Sequence, residues 1–201
     1  MTDALAPLET LDTAGQEAVR AVYEAGFPPH QASSWTSVTS ERTADEEALA
    51  FVVDGTPVAF VLVRSLVPTD RLFLRYLVVD EARRGEGVGS RVWQHLVDHG
   101  RRLGASVLVW DLEHPDEAGV DPADTVLRRR RITFYERLGG VVLPVEDYTN
   151  PSLAEDGHDG AEHPMLLMAT SLGEDPSGVP THDRAWVDGV VRDVDTHRWG
   201  R

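Results

Sequence analysis

No cysteine occurs in the 201 residues, which excludes disulfides, thiolate metal sites and a cysteine nucleophile. Lysine is absent too: all 19 basic residues are arginine, so a lysine Schiff base and a phosphate-cradling lysine are both excluded. Positive charge is scarce overall. Against those 19 basic residues stand 34 acidic ones, for a net charge of −15, the wrong sign for neutralising nucleic-acid phosphates. Nucleic acid is not an expected partner. No apolar run reaches the roughly 18 residues of a membrane span, so no membrane is expected either. The opening MTDALAPLETLD has neither the basic nor the apolar region of a secretory signal, and the cytoplasm is the expected compartment.

What is present suffices for one folded domain. A 41% share of hydrophobic residues can build a real core, and the length suits one domain or one domain plus an appendage. We expect a domain over residues 1–172 and, over 173–201, a linker and a helix appended to it. Val19, Val22 and Tyr23 have near-helical spacing behind Asp12 and Thr13, either of which suits an N-cap, so Asp12 to Gly26 reads as a first helix. Gly26 to Ser40, with Pro28, Pro29 and a Ser/Thr cluster, reads as a loop with room for a short helix, placed to cover a site. ALAFVVD, DGTPVAFVLVRSL and RLFLRYLVVD follow in close order, with Asp54-Gly55 as a hairpin turn, and predict an antiparallel meander of three strands.

After Asp80 comes a glycine loop, then Val88, Val92, Trp93, Leu96 and Val97 at helical spacing up to Gly104. ASVLVWDL, residues 105–112, is a nearly continuous apolar strand. An acidic loop from Glu113 to Asp124 leads to a helix from about Thr125 to Leu138, closed by Gly139-Gly140. Two last strands are expected around Val141 to Val145 and Met165 to Thr170. Trp186, Val187, Val190, Val191 and Val194 predict a C-terminal helix, capped at Thr181, that packs on the domain or on a second copy in a homodimer. The order predicts an α/β fold: a mixed, mostly antiparallel central sheet of about six to seven strands with helices on both faces, plus the C-terminal helix.

Arg84-Gly85-Glu86-Gly87-Val88-Gly89-Ser90 leaves a strand and enters a helix. Unpaired N–H groups at a helix start favour an anion, and glycines let it approach, although a structural turn also needs glycine. Without Gly-Lys-Ser/Thr the loop is not a nucleoside-triphosphate loop. A dinucleotide site stays open, with Asp111 as the ribose-binding acid, but Ser90 stands where its third glycine belongs and Asp80 to Arg84 intervene after the strand.

The stretch from Leu77 to Ser90 resembles the acyl-CoA-binding motif of the GNAT superfamily of N-acetyltransferases, Arg/Gln-x-x-Gly-x-Gly/Ala after a strand, with Arg84, Gly87 and Gly89 in those places. Phe134-Tyr135-Glu136-Arg137-Leu138-Gly139-Gly140 resembles the family's FYxxLGF helix end, with Gly140 where an aromatic is usual. The resemblance covers about Glu47 to Thr170 and implies a GNAT-like fold with acetyl-CoA as acyl donor. By resemblance Leu77, Val78 and Val79 line the pantetheine arm, and the loop of Arg84, Gly85, Glu86, Gly87, Val88, Gly89 and Ser90 holds the pyrophosphate. Tyr135 matches the family tyrosine that protonates the leaving thiolate, and a hydroxyl of pKa about 10 is comparable to a thiol in acidity; a tyrosine merely packed at a helix end is the alternative.

Arg131 lies one turn before Tyr135 and Arg128 three residues further back, so both share its face. One of them, with Arg131 taken as cofactor-binding, is expected to meet an anion: a CoA phosphate, a substrate carboxylate or the acidic loop before it. A solvated basic helix is the alternative. Strand alternation sets Val107, Val109, Asp111 and Glu113 on one face, with the two acids near the strand end where the family's acceptor site opens. Either acid suits the amine's proton. Glu113 is preferred because it begins the loop, and Asp111 reads more as a structural acid. A backbone N–H of Val78 or Val79 would steady the oxyanion. His95 and His99, four apart on a helix, lack the Glu of a zinc motif and read as edge packing, so no metal is expected. His158 and His163 read as a solvated loop, with substrate contact as the alternative.

The implied reaction is acetyl transfer from acetyl-CoA to a primary amine in a ternary complex. The acidic chain favours cationic acceptors; the family's protein-acetylating members usually have a short loop and an Asn shortly before the tyrosine helix, so by resemblance the longer Glu113 to Asp124 loop favours a small molecule over protein amino groups. A silent acyl-CoA-binding module and a nucleotide-cofactor enzyme using NAD or S-adenosylmethionine are the alternatives.

Overall fold

The computed structural model describes residues 3–27, 32–151 and 162–199. In chain order it contains β1 (Asp3–Pro7), α1 (Thr13–Gly26), α2 (Trp35–Thr39), β2 (Glu46–Val53), β3 (Thr56–Ser65), β4 (Arg71–Val79) and α3 (Val88–Arg102). Then follow β5 (Val107–Glu113), α4 (Pro122–Arg137), β6 (Val141–Val142), β7 (Thr149–Pro151), β8 (Glu162–Ser171) and α5 (Arg184–Trp199). The sheet order is β1-β2-β3-β4-β5-β8-β6, with β7 paired to β8 off this path. Every pairing is antiparallel except β4 with β5. This is the expected GNAT-like architecture.

Local chemistry explains the boundaries. Asp54 and Gly55 both take positive φ, 48° and 82°, the twist that lets a two-residue turn join β2 to β3. Asp12 caps α1 by accepting from the Gly15 N–H at 2.8 Å, and Asp121 caps α4 through the Ala123 N–H at 2.7 Å with Pro122 behind it. Helix α4 therefore starts three residues before Thr125, at a Pro preorganised for the first turn. The N-cap acceptor of α5 is Asp183, 3.2 Å from the Trp186 N–H, rather than Thr181. Strands β1 and β7 were not expected, and the strand at Val141 holds only two residues. Their short, weakly apolar segments are strands because β2 and β8 offer unpaired edges.

Helices α3 and α4 cover one face, where Val88, Val92, Trp93, Leu96 and Tyr135 pack on Leu72, Leu74, Leu108 and Trp110. The other face is divided. Val19, Tyr23 and Val38 of α1 and α2 lie over Phe60, Tyr76 and Val78, and Val187, Val190 and Val194 of α5 lie over Phe73, Val107, Val109 and Leu167. Helix α5 thus spends its apolar stripe on its own sheet, and Arg71 of β4 pairs with Asp193 and lies 5.6 Å over the Trp186 ring.

One irregularity positions the site. The β3–β4 register pairs Leu62 with Tyr76 but Val63 with Leu74, so Arg75 is an extra, bulged residue. The bulge switches phase: Leu72 and Leu74 before it, and Leu77 and Val79 after it, all face the α3 side, while Phe73, Tyr76 and Val78 face the other.

Candidate active site

The parallel pairing of β4 with β5 ends at Leu74 opposite Trp110, one residue before the bulge. Past that rung β4 stays with β3 as far as Val79, and β5 stays with β8 as far as Glu113. The seam opens into a cavity of about 390 Å³, lined by both strand ends and by Tyr135, Asn150 and the loop residues Glu117 to Val120. Phe27 lies on its wall, so the segment expected to cover a site reaches it.

Strand period fixes which backbone groups face the seam. The Asp80 N–H donates to Val58 of β3 at 2.9 Å; two residues back, Val78 faces β3 as well. The N–H and C=O groups of Leu77 and Val79 therefore face the opened side. Of the two N–H groups considered for the oxyanion, that of Val79 has the right direction and that of Val78 is turned into the sheet.

Beyond β4 the chain turns through Glu81–Arg83, where Asp80 accepts from the Ala82 N–H at 3.0 Å. Gly85 and Gly87 take φ of 85° and 73°, a region that penalises any Cβ. No atom would lie within 4 Å of a Cβ at either residue, so backbone conformation, not crowding, demands glycine there. Gly87 is the N-cap of α3 and no side chain caps it, which leaves the first-turn N–H groups of Val88, Gly89 and Ser90 without an intrahelical partner. Gly89 has another cause: a Cβ there would sit 3.3 Å from Phe134 Cζ, so it lets α4 close on α3. Glu86 is held by Arg83 at 2.8 Å, and Arg84 lies 3.5 Å from Glu81 on the surface.

Tyr135 is 7% exposed, with its ring 5.1 Å from Trp93 and 4.9 Å from Trp110. Burial pushes its hydroxyl well above the usual tyrosine range, with Arg131 opposing. The near match to a thiol expected from the sequence does not hold in this pocket; the hydroxyl instead stays firmly protonated.

The two candidate acids have different partners. Asp111, first residue past the last β4–β5 rung, accepts from Asn150 Nδ2 at 2.6 Å and from the Tyr148 hydroxyl at 3.3 Å. Glu113 pairs with Arg131 at 2.6 Å. Arg128 donates to Glu117 at 2.6 Å and to the His114 carbonyl at 2.8 Å. Of the three anions considered for Arg128 and Arg131, both meet the acidic loop segment, and both line the cavity. His163 is no solvated loop residue: it lies on β8, 2.8 Å from Glu117, and lines the cavity. Burial raises the Glu117 carboxyl, but hydrogen bonds from Arg128 and His163 outweigh it and leave Glu117 below the ordinary range.

His95 stacks edgewise on Phe51, and His99 lies 3.2 Å from Glu47, whose carboxyl that contact lowers. Among the described residues no group of three or more His, Asp and Glu side chains is placed to hold a metal, and His158 lies outside them. No helix among them is long and apolar enough to cross a membrane.

Sequence reasoning missed Arg75, Trp110, Glu117, Tyr148 and Asn150. Arg75 pairs with Glu46, a buried carboxylate of β2 on the far side of β3. Its signal was the shift of apolar phase in RLFLRYLVV. Asn150 had none, since it reaches the site only because β7 pairs with β8 and sets it opposite His163.

The sequence profile described as the acetyltransferase (GNAT) family matches residues 16–139. A search of curated proteins finds no match. Among solved structures the chain is similar to one described as a GNAT-family acetyltransferase from Bacteroides thetaiotaomicron, at 18% identity and TM-score 0.73, covering 100% of this chain and 99% of that one. It is also similar to an aminoglycoside 6′-N-acetyltransferase complexed with coenzyme A, at 18% identity and TM-score 0.61, covering 88% and 99%. A third, the aminoglycoside 6′-N-acetyltransferase from Enterococcus faecium, has 20% identity and TM-score 0.59, again covering 88% and 99%. At such identities the likeness is one of fold.

Proposed function

The chain belongs to the GNAT acetyltransferase family, and on that footing we propose that it transfers the acetyl group of acetyl-CoA to a primary amine of a small molecule in a ternary complex. One observation carries this reading: the β4–β5 seam opens past Leu74 and Trp110 into an acid-lined cavity with Tyr135 on its wall. The residues present fit the cofactor. The α3 N-terminus carries no side-chain cap and has open space at Gly85 and Gly87, which suits a pyrophosphate, and the seam-facing backbone of Leu77 and Val79 suits an amide-bearing arm. Bound acetyl-CoA would supply the acyl group as an activated thioester.

The chain's own groups do the rest. Asp111 takes the proton of the amine, directly or through water. It is preferred here over Glu113 for its place: Asp111 is the first residue past the last β4–β5 rung, whereas Glu113 lies two residues farther out in an ion pair with Arg131. The Val79 N–H faces the place where negative charge develops. Tyr135 keeps its proton and donates a hydrogen bond to the sulfur as thiolate charge develops there.

A cavity of about 390 Å³ with a loop wall supports a small acceptor, and the acidic chain favours cationic ones. The cysteine-free composition supports a cytoplasmic place of action. Calorimetric titration with acetyl-CoA and CoA, with NAD as control, tests the reading. Saturable one-site binding of acetyl-CoA, lost in Gly87→Glu, followed by amine-dependent thiol release, is the expected result; binding of NAD in its place would overturn it.

A further inference from the structure

Asn150 stands out among the cavity residues. It is 6% exposed, lines the cavity, and has a side-chain oxygen buried without a hydrogen-bond partner among the described residues. Its orientation is not arbitrary. The Asp111 carboxylate can only accept, so the Asn150 NH₂ must point to it, at 2.6 Å, and Oδ1 must point elsewhere. Buried amide oxygens are rarely left without a donor. Among the described residues the nearby cations have other partners: Arg75 pairs with Glu46, Arg128 with Glu117 and Arg131 with Glu113.

From this geometry we infer that Asn150 Oδ1 accepts an N–H of the acceptor amine, so that Asn150 and Asp111 together form the subsite that holds the reacting nitrogen. The inference deepens the proposed function and rests on it for the identity of the reaction. Asp111 sits at the vertex of the seam, next to the last β4–β5 rung, and Asn150 is hydrogen-bonded to it; a nitrogen held by both lies where β4 presents its free backbone. The subsite favours a nitrogen over a hydroxyl. A primary ammonium has three donors and meets two acceptors, the Asp111 carboxylate and Asn150 Oδ1. An acceptor bearing a carboxylate finds no uncommitted arginine among those lining the cavity.

The test uses binding, so it does not require the natural acceptor. Spermidine, glucosamine and, as the amine-free match, glucose are titrated into the full chain and into Asn150→Ala and Asn150→Asp, with acetyl-CoA titrated in parallel. We expect an amine to bind and glucose not to. Asn150→Ala should weaken the amine by about tenfold or more, the loss of a hydrogen bond to a charged group, with acetyl-CoA affinity unchanged. Asn150→Asp keeps an acceptor oxygen and, with one proton shared between it and Asp111, should retain amine binding. Equal amine affinity in Asn150→Ala and the parent overturns the inference, as does failure of both amines to bind. Equal loss in both variants also overturns it, because Asn150 would then serve only to position Asp111. Acetyl-CoA binding with Asn150-independent amines sinks the subsite and spares the function; Asn150-dependent amine binding without acetyl-CoA binding does the reverse.

Discussion

Replacing Tyr135 by Phe removes one hydroxyl and little else. The ring contacts with Trp93, Trp110 and Phe134, at 5.1, 4.9 and 5.0 Å, are available to either side chain. The hydroxyl makes no hydrogen bond to another described residue, so stability at neutral pH should change by less than about 1 kcal/mol. Turnover should not be spared. A positioned general acid contributes about 10² to 10⁴ in rate, or about 3 to 5 kcal/mol of barrier, and a proton needed only at the leaving thiolate appears in kcat, not in affinity for acetyl-CoA. Thiol release at saturating amine, with calorimetry of acetyl-CoA, separates the two. Equal kcat in Tyr135→Phe would remove the hydroxyl from the mechanism.

The same variant has an alkaline signature. Burial raises the Tyr135 hydroxyl, so above the unfolded value of about 10 the native state holds a proton that the unfolded chain releases. Native stability then falls as pH rises beyond that value, and Tyr135→Phe lacks this part of the fall. Tyr23, raised by its own burial and by Tyr76, keeps its share in both proteins. Urea melts at pH 9 and pH 11 should therefore converge or cross between parent and variant. Parallel losses would show that the hydroxyl is not as dry as described.

Gly87→Ala keeps φ at 73° with no clash, so it should cost about 1 to 2 kcal/mol in a urea melt. Glu117, depressed in the native state, stabilises above its unfolded value of about 4.3 and loses that contribution as pH falls through the native one; Glu117→Gln should flatten this acid limb in melts from pH 6 to pH 3. Asp111→Asn should lower kcat more than Glu113→Gln in the thiol-release assay, because Asp111 stands next to the last β4–β5 rung and Glu113 two residues farther out; the reverse order would return the base to Glu113. Val190→Ala removes a fully buried contact between α5 and the sheet and should cost about 1 to 3 kcal/mol by thermal melting.

Elements with strong local signals were legible. The Asp54-Gly55 turn, the three-strand meander, the glycine entry to α3 and the valine stripe of α5 each rest on residues close in sequence. Strands β1 and β7 were not, because neither DALAP nor TNP has a pattern that survives without its partner edge. The site divides in the same way. Tyr135 and the two acids came from helix end and strand end, whereas Asn150 and Glu117 reach the cavity through a strand pairing and a folded loop that no spacing announces. Gly89 was read as a ligand glycine, although the packing of Phe134 also demands it.

The opening of the seam was written in the sequence in a form that alternation alone hides. In RLFLRYLVV the apolar positions of one face run Leu72, Leu74, then Leu77, Val79, and a strict two-residue period admits no such step. The extra residue is an arginine, which a buried strand tolerates only beside a buried acid, and Glu46 stands across β3 to receive it. Bulge, counter-charge and loss of pairing with β5 therefore form one device: the strand keeps its helix-facing apolar row while its last residues leave β5. The cavity and the free backbone of Leu77 and Val79 follow from that one inserted residue.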